Sequence, residues 1–189
     1  DIGPILRDEP ALAAGVAEAG GEVHLGGILP TPAALLLSRT YDFDLAAVVS
    51  ASHNPYHDNG IKLFAGREGK LDDETEARVE KLIHDPPPPS SQPGRIDHLN
   101  GAERDYLRAL ESHFRLDLSG TRVMLDCANG STYRVAGEIF TRLGAEVELV
   151  ANQPDGVNIN LDCGSTHVES LARRIVGSGA DIGFSFDGD

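Results

Sequence analysis

Apolar and polar positions along this chain follow two alternating rhythms, one of helices and one of strands. An alanine-rich stretch at 11–19 favours a helix, and residues 22–25 put Val23 and Leu25 on one side of a strand. Thr31 reads as an N-cap with Pro32 at the first helical position, which predicts a helix over 33–39 with its leucines facing a core. Residues 45–49 form an unbroken apolar run, the pattern of a central strand buried on both faces. Asp58, Asn59 and Gly60 then turn the chain into a short strand at 61–64.

Asp73 and Glu76 resemble a capping box for a helix that places Val79, Leu82 and Ile83 on one face. Four consecutive prolines open the stretch 86–94, which predicts a semi-rigid surface connection. A helix at 102–114 aligns Tyr106, Leu110 and Phe114 and is expected to bridge two domains. From Thr121 a second α/β pattern begins: a strand at 122–126, a helix at 133–143 closed by Gly144, and a strand at 146–150. Thr166 to Glu169 reads as a capping box for a helix to 176, and 180–186 as another buried strand carrying Asp187, Gly188 and Asp189 at its carboxyl end. The expected fold class is therefore α/β, with two consecutive α/β domains whose mixed sheets are sandwiched by helices: 1–100, a linker helix at 101–118, and an incomplete 119–189.

At 189 residues, either one large domain or two smaller ones could form. The net charge of −14 argues against nucleic acid or an anionic membrane surface as partner, so a phosphate ligand would need a local cationic site. No apolar run approaches the ~20 residues of a membrane span and no leader is evident, which predicts a cytoplasmic protein. Cys127 and Cys163 lack disulfide or zinc spacing and read as reduced thiols. The chain starts at Asp1 without a methionine and stops inside an apparent motif, as expected of a fragment.

The chemistry-bearing residues gather after the apolar run. Ser52, His53, Asn54 and Lys62 bring a hydroxyl, an imidazole, an amide and an ammonium together at a strand's carboxyl end, where α/β sheets bind ligands. Phosphoryl transfer needs these groups: an in-line nucleophile, a proton carrier and charge neutralisation. The plain alternative is that Ser52 and Asn54 only satisfy a turn. Asp187 and Asp189, at alternate positions of a strand end, can converge on one hard cation, although Asp-Gly-Asp is also a common turn. His24, His84, His98 and His113 have no partners at metal spacing and read as structural or surface residues.

The run Ala51-Ser52-His53-Asn54-Pro55-Tyr56-His57-Asp58-Asn59-Gly60-Ile61-Lys62-Leu63-Phe64 closely resembles the active-site signature of the α-D-phosphohexomutase superfamily, and in its details the phosphoglucosamine mutase branch. Asp126-Cys127-Ala128-Asn129-Gly130-Ser131-Thr132-Tyr133, Gly156-Val157-Asn158-Ile159-Asn160 and Cys163-Gly164-Ser165-Thr166-His167 are similar to segments of the same branch. The resemblance implies that Ser52 is the phosphoserine, that His53 and Lys62 handle protons and charge, and that Asn54 shapes the loop. It implies one Mg²⁺ held by Ser52, Asp187 and Asp189, with a third family aspartate falling two residues beyond Asp189. It further implies a phosphosugar partner, a hexose 1,6-bisphosphate as activator and intermediate, and interconversion of glucosamine 6-phosphate and glucosamine 1-phosphate. A homodimer is compatible with it.

The start departs from the family pattern: Asp1-Ile2-Gly3-Pro4-Ile5-Leu6-Arg7 stands where relatives carry an Asp-Thr-Arg-like segment. The sugar-reading loop and the phosphate-binding C-terminal domain are also missing, so the isolated fragment is expected to be inactive. The alternatives are a phosphomannomutase or phosphoglucomutase, and a non-catalytic phosphosugar-binding relative. A serine hydrolase fits poorly, because no Gly-x-Ser-x-Gly elbow surrounds Ser52.

Overall fold

The computed structural model describes residues 5–66 and 69–189, with side chains from Asp8 onward. The departing segment 1–4 and the side chains of Ile5, Leu6 and Arg7 lie outside the described residues. Helix α1 (Ile5–Glu18) starts earlier than the alanine-rich run predicts and continues through Pro10, which leaves one backbone bond unmade. Strand β1 (Val23–Leu25) follows, then α2 (Thr31–Tyr41), β2 (Leu45–Ser50), β3 (Gly60–Ala65), β4 (Gly69–Lys70) and α3 (Asp73–His84). The rest comprises β5 (Ile96–His98), α4 (Ala102–His113), β6 (Arg122–Asp126), α5 (Val135–Arg142), β7 (Glu146–Val150), α6 (Val168–Ile175) and β8 (Ile182–Ser185).

The strands form three sheets in which parallel and antiparallel pairing are segregated: β1-β5 parallel, β2-β3-β4 antiparallel, and β7-β6-β8 parallel. The proline-rich stretch does more than connect. Ser90 N–H donates to Glu18 O and Gly94 N–H to Ala17 O, and this return path lays β5 beside β1. Gly94 passes so close to Gly21 that an added Cβ would lie 1.9 Å from its carbonyl oxygen.

Two expected buried strands are half-exposed instead. β2 is at the edge of its sheet, pairing with β3 from Leu45↔Ala65 to Ser50↔Gly60, and Leu45 is 47% exposed. β8 is at the edge of the third sheet, with Ile182 and Phe184 exposed. An apolar run records hydrophobicity but not sheet position, and an edge strand has only one neighbour to cover it. The strand that is sheathed is β6, between β7 and β8, where Val123, Met124, Leu125 and Asp126 are all buried.

Several caps also differ from expectation. Thr31 is inside α2, and the cap position is Pro30, which offers no side chain for the purpose. The cap of α3 is Asp72, one residue before the expected Asp73, and its carboxylate accepts from Thr75 N–H at 2.7 Å. No residue of α3 is buried, and Leu82 and Ile83 face outward. Ahead of α6 a short 3₁₀ turn, Ser165–His167, replaces the expected capping box.

The core lies between helices and beneath the parallel sheet. Ala33 and Leu37 of α2, Ala102, Tyr106 and Leu107 of α4, and Val135 and Ile139 of α5 form one buried cluster. Val123, Leu125, Cys127, Ala136 and Ala145 form a second under β6. Helix α4 thus packs against both α2 and α5, and a hydrogen bond from the Tyr41 hydroxyl to Asp105 joins α2 to α4. Each large side chain buried here contributes about 1.5–3 kcal/mol.

Candidate functional site

The loop at 51–59 closes the β2–β3 hairpin, so Ser52 stands at a strand's carboxyl end, as the sequence predicts, but in antiparallel surroundings. Ala51 is buried and accepts from Asn54 N–H at 3.0 Å, making a tight turn around Ser52. Ser52 itself adopts the left-handed conformation at φ 54°, a strained choice for a residue with a Cβ, of order 1–3 kcal/mol. Its N–H donates to Ser50 Oγ at 2.9 Å.

Strand β8 delivers the opposing wall. Ser52 Oγ lies 3.0 Å from Asp187 Oδ1 and 3.2 Å from Asp189 Oδ1, across 135 and 137 residues of chain. Lys62, on β3, pairs with Asp189 Oδ2, and the Thr31 hydroxyl donates to the same oxygen at 3.1 Å. His53 is more loosely placed, with Nδ1 3.9 Å from Asp187 Oδ2 and its ring largely exposed. Of the residues singled out from the sequence, Ser52, His53, Lys62, Asp187 and Asp189 therefore converge. Asn54 joins them through its backbone, and its side chain is exposed.

Burial works to raise the Asp189 carboxyl. Burial is the largest single influence, but the hydrogen bonds with Lys62, Asp187 and Thr31 and the Lys62 charge together outweigh it and hold the group below the ordinary carboxylate range. One hydroxyl proton cannot serve two carboxylates at once, so acceptor oxygens are in surplus around Ser52. Two carboxylates and one ammonium sum to a formal −1, and a phosphoryl group on Ser52 would add about −1.5 to −2. An all-oxygen donor set with excess negative charge suits a hard divalent cation such as magnesium. Among the described residues no group of three or more His, Cys, Asp or Glu side chains assembles, and the Ser52 oxygen stands as a third oxygen donor beside Asp187 and Asp189.

Backbone contacts lock the two loops together. An added Cβ at Gly188 would lie 2.4 Å from Ser52 O and 2.8 Å from Ile159 Cδ1, so only glycine allows this approach. Gly188 O accepts from Ser131 N–H at 2.9 Å, and Phe186 N–H donates to Asp126 O at 2.9 Å. The buried Asp126 carboxylate accepts from Ala128 N–H and Gly164 N–H, at 3.0 and 2.9 Å, and so organises the floor of the site.

Sequence reasoning missed three contributors. Thr31 looked like a cap, and its hydroxyl serves the site instead. Asn160 donates both Nδ2 hydrogens to the Ser52 loop, to Ser52 O at 2.7 Å and Asn54 O at 2.8 Å. Gly188 reads as a turn residue, whereas its lack of a side chain admits Ser52. The segment around Asn160 stands out in the sequence only by resemblance, and nothing local in it points across 108 residues. Cys127 and Cys163 are free thiols, as expected; both are also buried, which pushes them up to about 11.

Residues 9–88 match the family described as phosphoglucomutase/phosphomannomutase, alpha/beta/alpha domain I. Over 186 residues the chain is 46% identical to the phosphoglucosamine mutase of Acetivibrio thermocellus, covering 96% of this chain and 41% of that protein. It is 45% identical to the phosphoglucosamine mutase of Pseudomonas syringae pv. tomato, with the same coverage. The chain thus spans about two fifths of the length of these curated relatives. A solved phosphoglucomutase/phosphomannomutase family protein from Burkholderia thailandensis superposes with a TM-score of 0.77 at 25% identity, over 96% of this chain and 41% of that one. The Aspergillus fumigatus N-acetylphosphoglucosamine mutase, solved in complex with GlcNAc-6P and magnesium, shares the fold with a TM-score of 0.52 at 20% identity, over 98% of this chain and 52% of that one. Residues 9–88 thus match the α/β/α domain I of the phosphoglucomutase/phosphomannomutase family, and the chain is similar to phosphoglucosamine mutases along 96% of its length.

Proposed function

We propose that this chain supplies the phosphoserine loop and part of the metal site of a phosphoglucosamine mutase, which interconverts glucosamine 6-phosphate and glucosamine 1-phosphate. The observation that carries the reading is the convergence of Asp187 and Asp189 on Ser52 Oγ, at 3.0 and 3.2 Å. The phosphoglucosamine mutases above support the choice of sugar. The reaction has two halves. The Ser52 Oγ–P bond breaks as a sugar hydroxyl oxygen takes the phosphoryl group and releases its proton to a base of the site. The hexose 1,6-bisphosphate then reorients, its other O–P bond breaks as that phosphoryl group returns to Ser52 Oγ, and the freed sugar oxygen takes the proton back from the base, so that nothing is gained or lost.

His53 takes the proton role in this reading, since its ring stands next to Ser52 in the chain with Nδ1 3.9 Å from Asp187 Oδ2. Lys62 keeps Asp189 ionised and supplies positive charge beside Ser52. Asn54 contributes the backbone of the turn. Magnesium, when held by Ser52, Asp187 and Asp189, would withdraw charge from the phosphoryl oxygens. The magnesium bound in the Aspergillus fumigatus protein supports that assignment. The chain works in this reading as a first domain at 1–100, a linker helix at 101–118 and part of a second at 119–189, in a cytoplasmic enzyme. A second reading, a phosphomannomutase or phosphoglucomutase, is favoured by the family matched over residues 9–88 and by the Burkholderia thailandensis neighbour.

The full-length protein, given Mg²⁺ and a hexose 1,6-bisphosphate, is to be assayed on the 6-phosphates of glucosamine, mannose and glucose beside Ser52→Ala. Turnover of glucosamine 6-phosphate that vanishes in the variant establishes the first reading. Preference for the mannose or glucose ester transfers the mechanism to the second. No turnover dependent on Ser52 overturns both and leaves a non-catalytic relative.

A further inference from the structure

The loop that bears Ser52 is held within itself by short-range turn contacts, Ser52 N–H to Ser50 Oγ, Asn54 N–H to Ala51 O and Asp58 N–H to Pro55 O, none of which reaches the far wall. It joins a half-exposed edge hairpin, its residues 53–58 are exposed, and Ser52 sits in a left-handed conformation. Something outside the loop must keep the hydroxyl aimed at Asp187 and Asp189. Asn160 is nine-tenths buried, at 8% exposure, and reaches the loop from the opposite side of the site. Its single Nδ2 group donates to Ser52 O at 2.7 Å and to Asn54 O at 2.8 Å, the carbonyls on either side of His53. Its own N–H donates to Ala128 O at 2.9 Å, which anchors it to the buried floor at the end of β6.

The amide therefore bridges the buried end of β6 and the exposed loop that bears Ser52. Two donors on one nitrogen fix both the distance and the rotation of the 52–54 backbone, where a single bond would fix only the distance. Among the described residues Asn160 Oδ1 has no hydrogen-bond partner, and both side-chain contacts to the loop are donations. Gly188 presses on the same Ser52 carbonyl group, which leaves that peptide little room to turn.

We infer that Asn160 is a positioning residue for phosphoryl transfer, a clamp that holds Ser52 Oγ in line with the substrate and sets kcat without touching the sugar. The inference rests on Ser52 being the phosphoryl carrier, and its test separates the two. Asn160→Asp keeps the shape and removes both donors, Asn160→Ala removes the side chain, and Asn158→Ala serves as the control. Asn158 holds its own segment together by donating to Gln153 O at 3.0 Å and accepting from Asp155 N–H at 3.0 Å.

The full-length protein and these variants are to be compared by thermal melting, steady-state kinetics with glucosamine 6-phosphate, and hydrogen exchange at the Asn54 amide. The expected result is a kcat at least about tenfold lower in both Asn160 variants, with KM within about threefold and faster exchange at Asn54. Asn158→Ala is expected to melt lower with kcat within about twofold of the parent. Unchanged kcat and unchanged Asn54 exchange in a folded Asn160→Asp protein would overturn the inference. So would an equal loss of kcat in Asn158→Ala, which would mark the effect as stability alone. If the parent protein turns over no hexose phosphate, the functional reading fails by itself, and Asn54 exchange still decides whether the clamp exists.

Discussion

The two walls of the site are built to different standards. The wall with Asp187 and Asp189 extends from a parallel sheet whose middle strand, β6, is buried from Val123 to Asp126 and packed against α5. The wall with Ser52 hangs from an edge hairpin with an exposed Leu45, followed by a helix with no buried residue. The first keeps its geometry through its own core. The second takes its geometry from contacts supplied by the first: Asp187 and Asp189 on Ser52 Oγ, Asp189 on Lys62 and Thr31, Asn160 on the loop carbonyls, and Gly188 against the Ser52 backbone. A site assembled this way can be damaged without unfolding the loop that carries Ser52, because its shape is imposed from across the cleft.

The sharpest way to break that dependence is at Gly188. Gly188→Ala places a methyl group 2.4 Å from Ser52 O, so the walls must separate. A displacement of about 1 Å costs on the order of 100-fold in rate, and kcat of the full-length protein is expected to fall by about that factor with little change in melting temperature. Steady-state kinetics beside a thermal melt checks it, and a large melting loss would show that the glycine serves the fold instead.

The difference in core is tested by truncation on each side. Leu125→Ala, at a fully buried position, is expected to cost about 2–5 kcal/mol in denaturant unfolding. Leu82→Ala on α3 should stay within about 0.5 kcal/mol, since that side chain is already 53% exposed. Equal losses would mean that the hairpin side is as well packed as the parallel sheet.

The smallest effect belongs to the cap of α3. The Thr75 backbone N–H, seconded by its side chain, holds the Asp72 carboxyl below its ordinary value. A lowered folded value means that the stabilisation is fully present above the ordinary carboxylate range, near about pH 4, and fades as pH falls through the lowered folded value. Circular dichroism of the parent should therefore show α3 fraying only at the acid end, and Asp72→Ala should remove that acid-dependent step.

Much of this protein was legible in the residues themselves. Strands β6 and β7 were legible to the residue because each is a short apolar-rich stretch following a local boundary, Thr121 for the first and Gly144 for the second. The Ser52 loop and the Asp187 to Asp189 segment were visible as polar groups at strand ends, and the residues around Ser52 pointed to phosphoryl transfer. Local sequence could not tell an edge strand from a central one, since β2 and β8 are as apolar as a covered strand and differ only in what lies beside them. Nor could it show that Thr31 serves Asp189 and not a helix end, or that Asn160 holds a loop 108 residues away. The sequence by itself determined which elements form and which groups could do chemistry, because propensity and short-range polarity are local. Tertiary structure alone decided which of those groups meet, because hydrogen bonds and close backbone approaches between distant segments exist only once the two walls have packed.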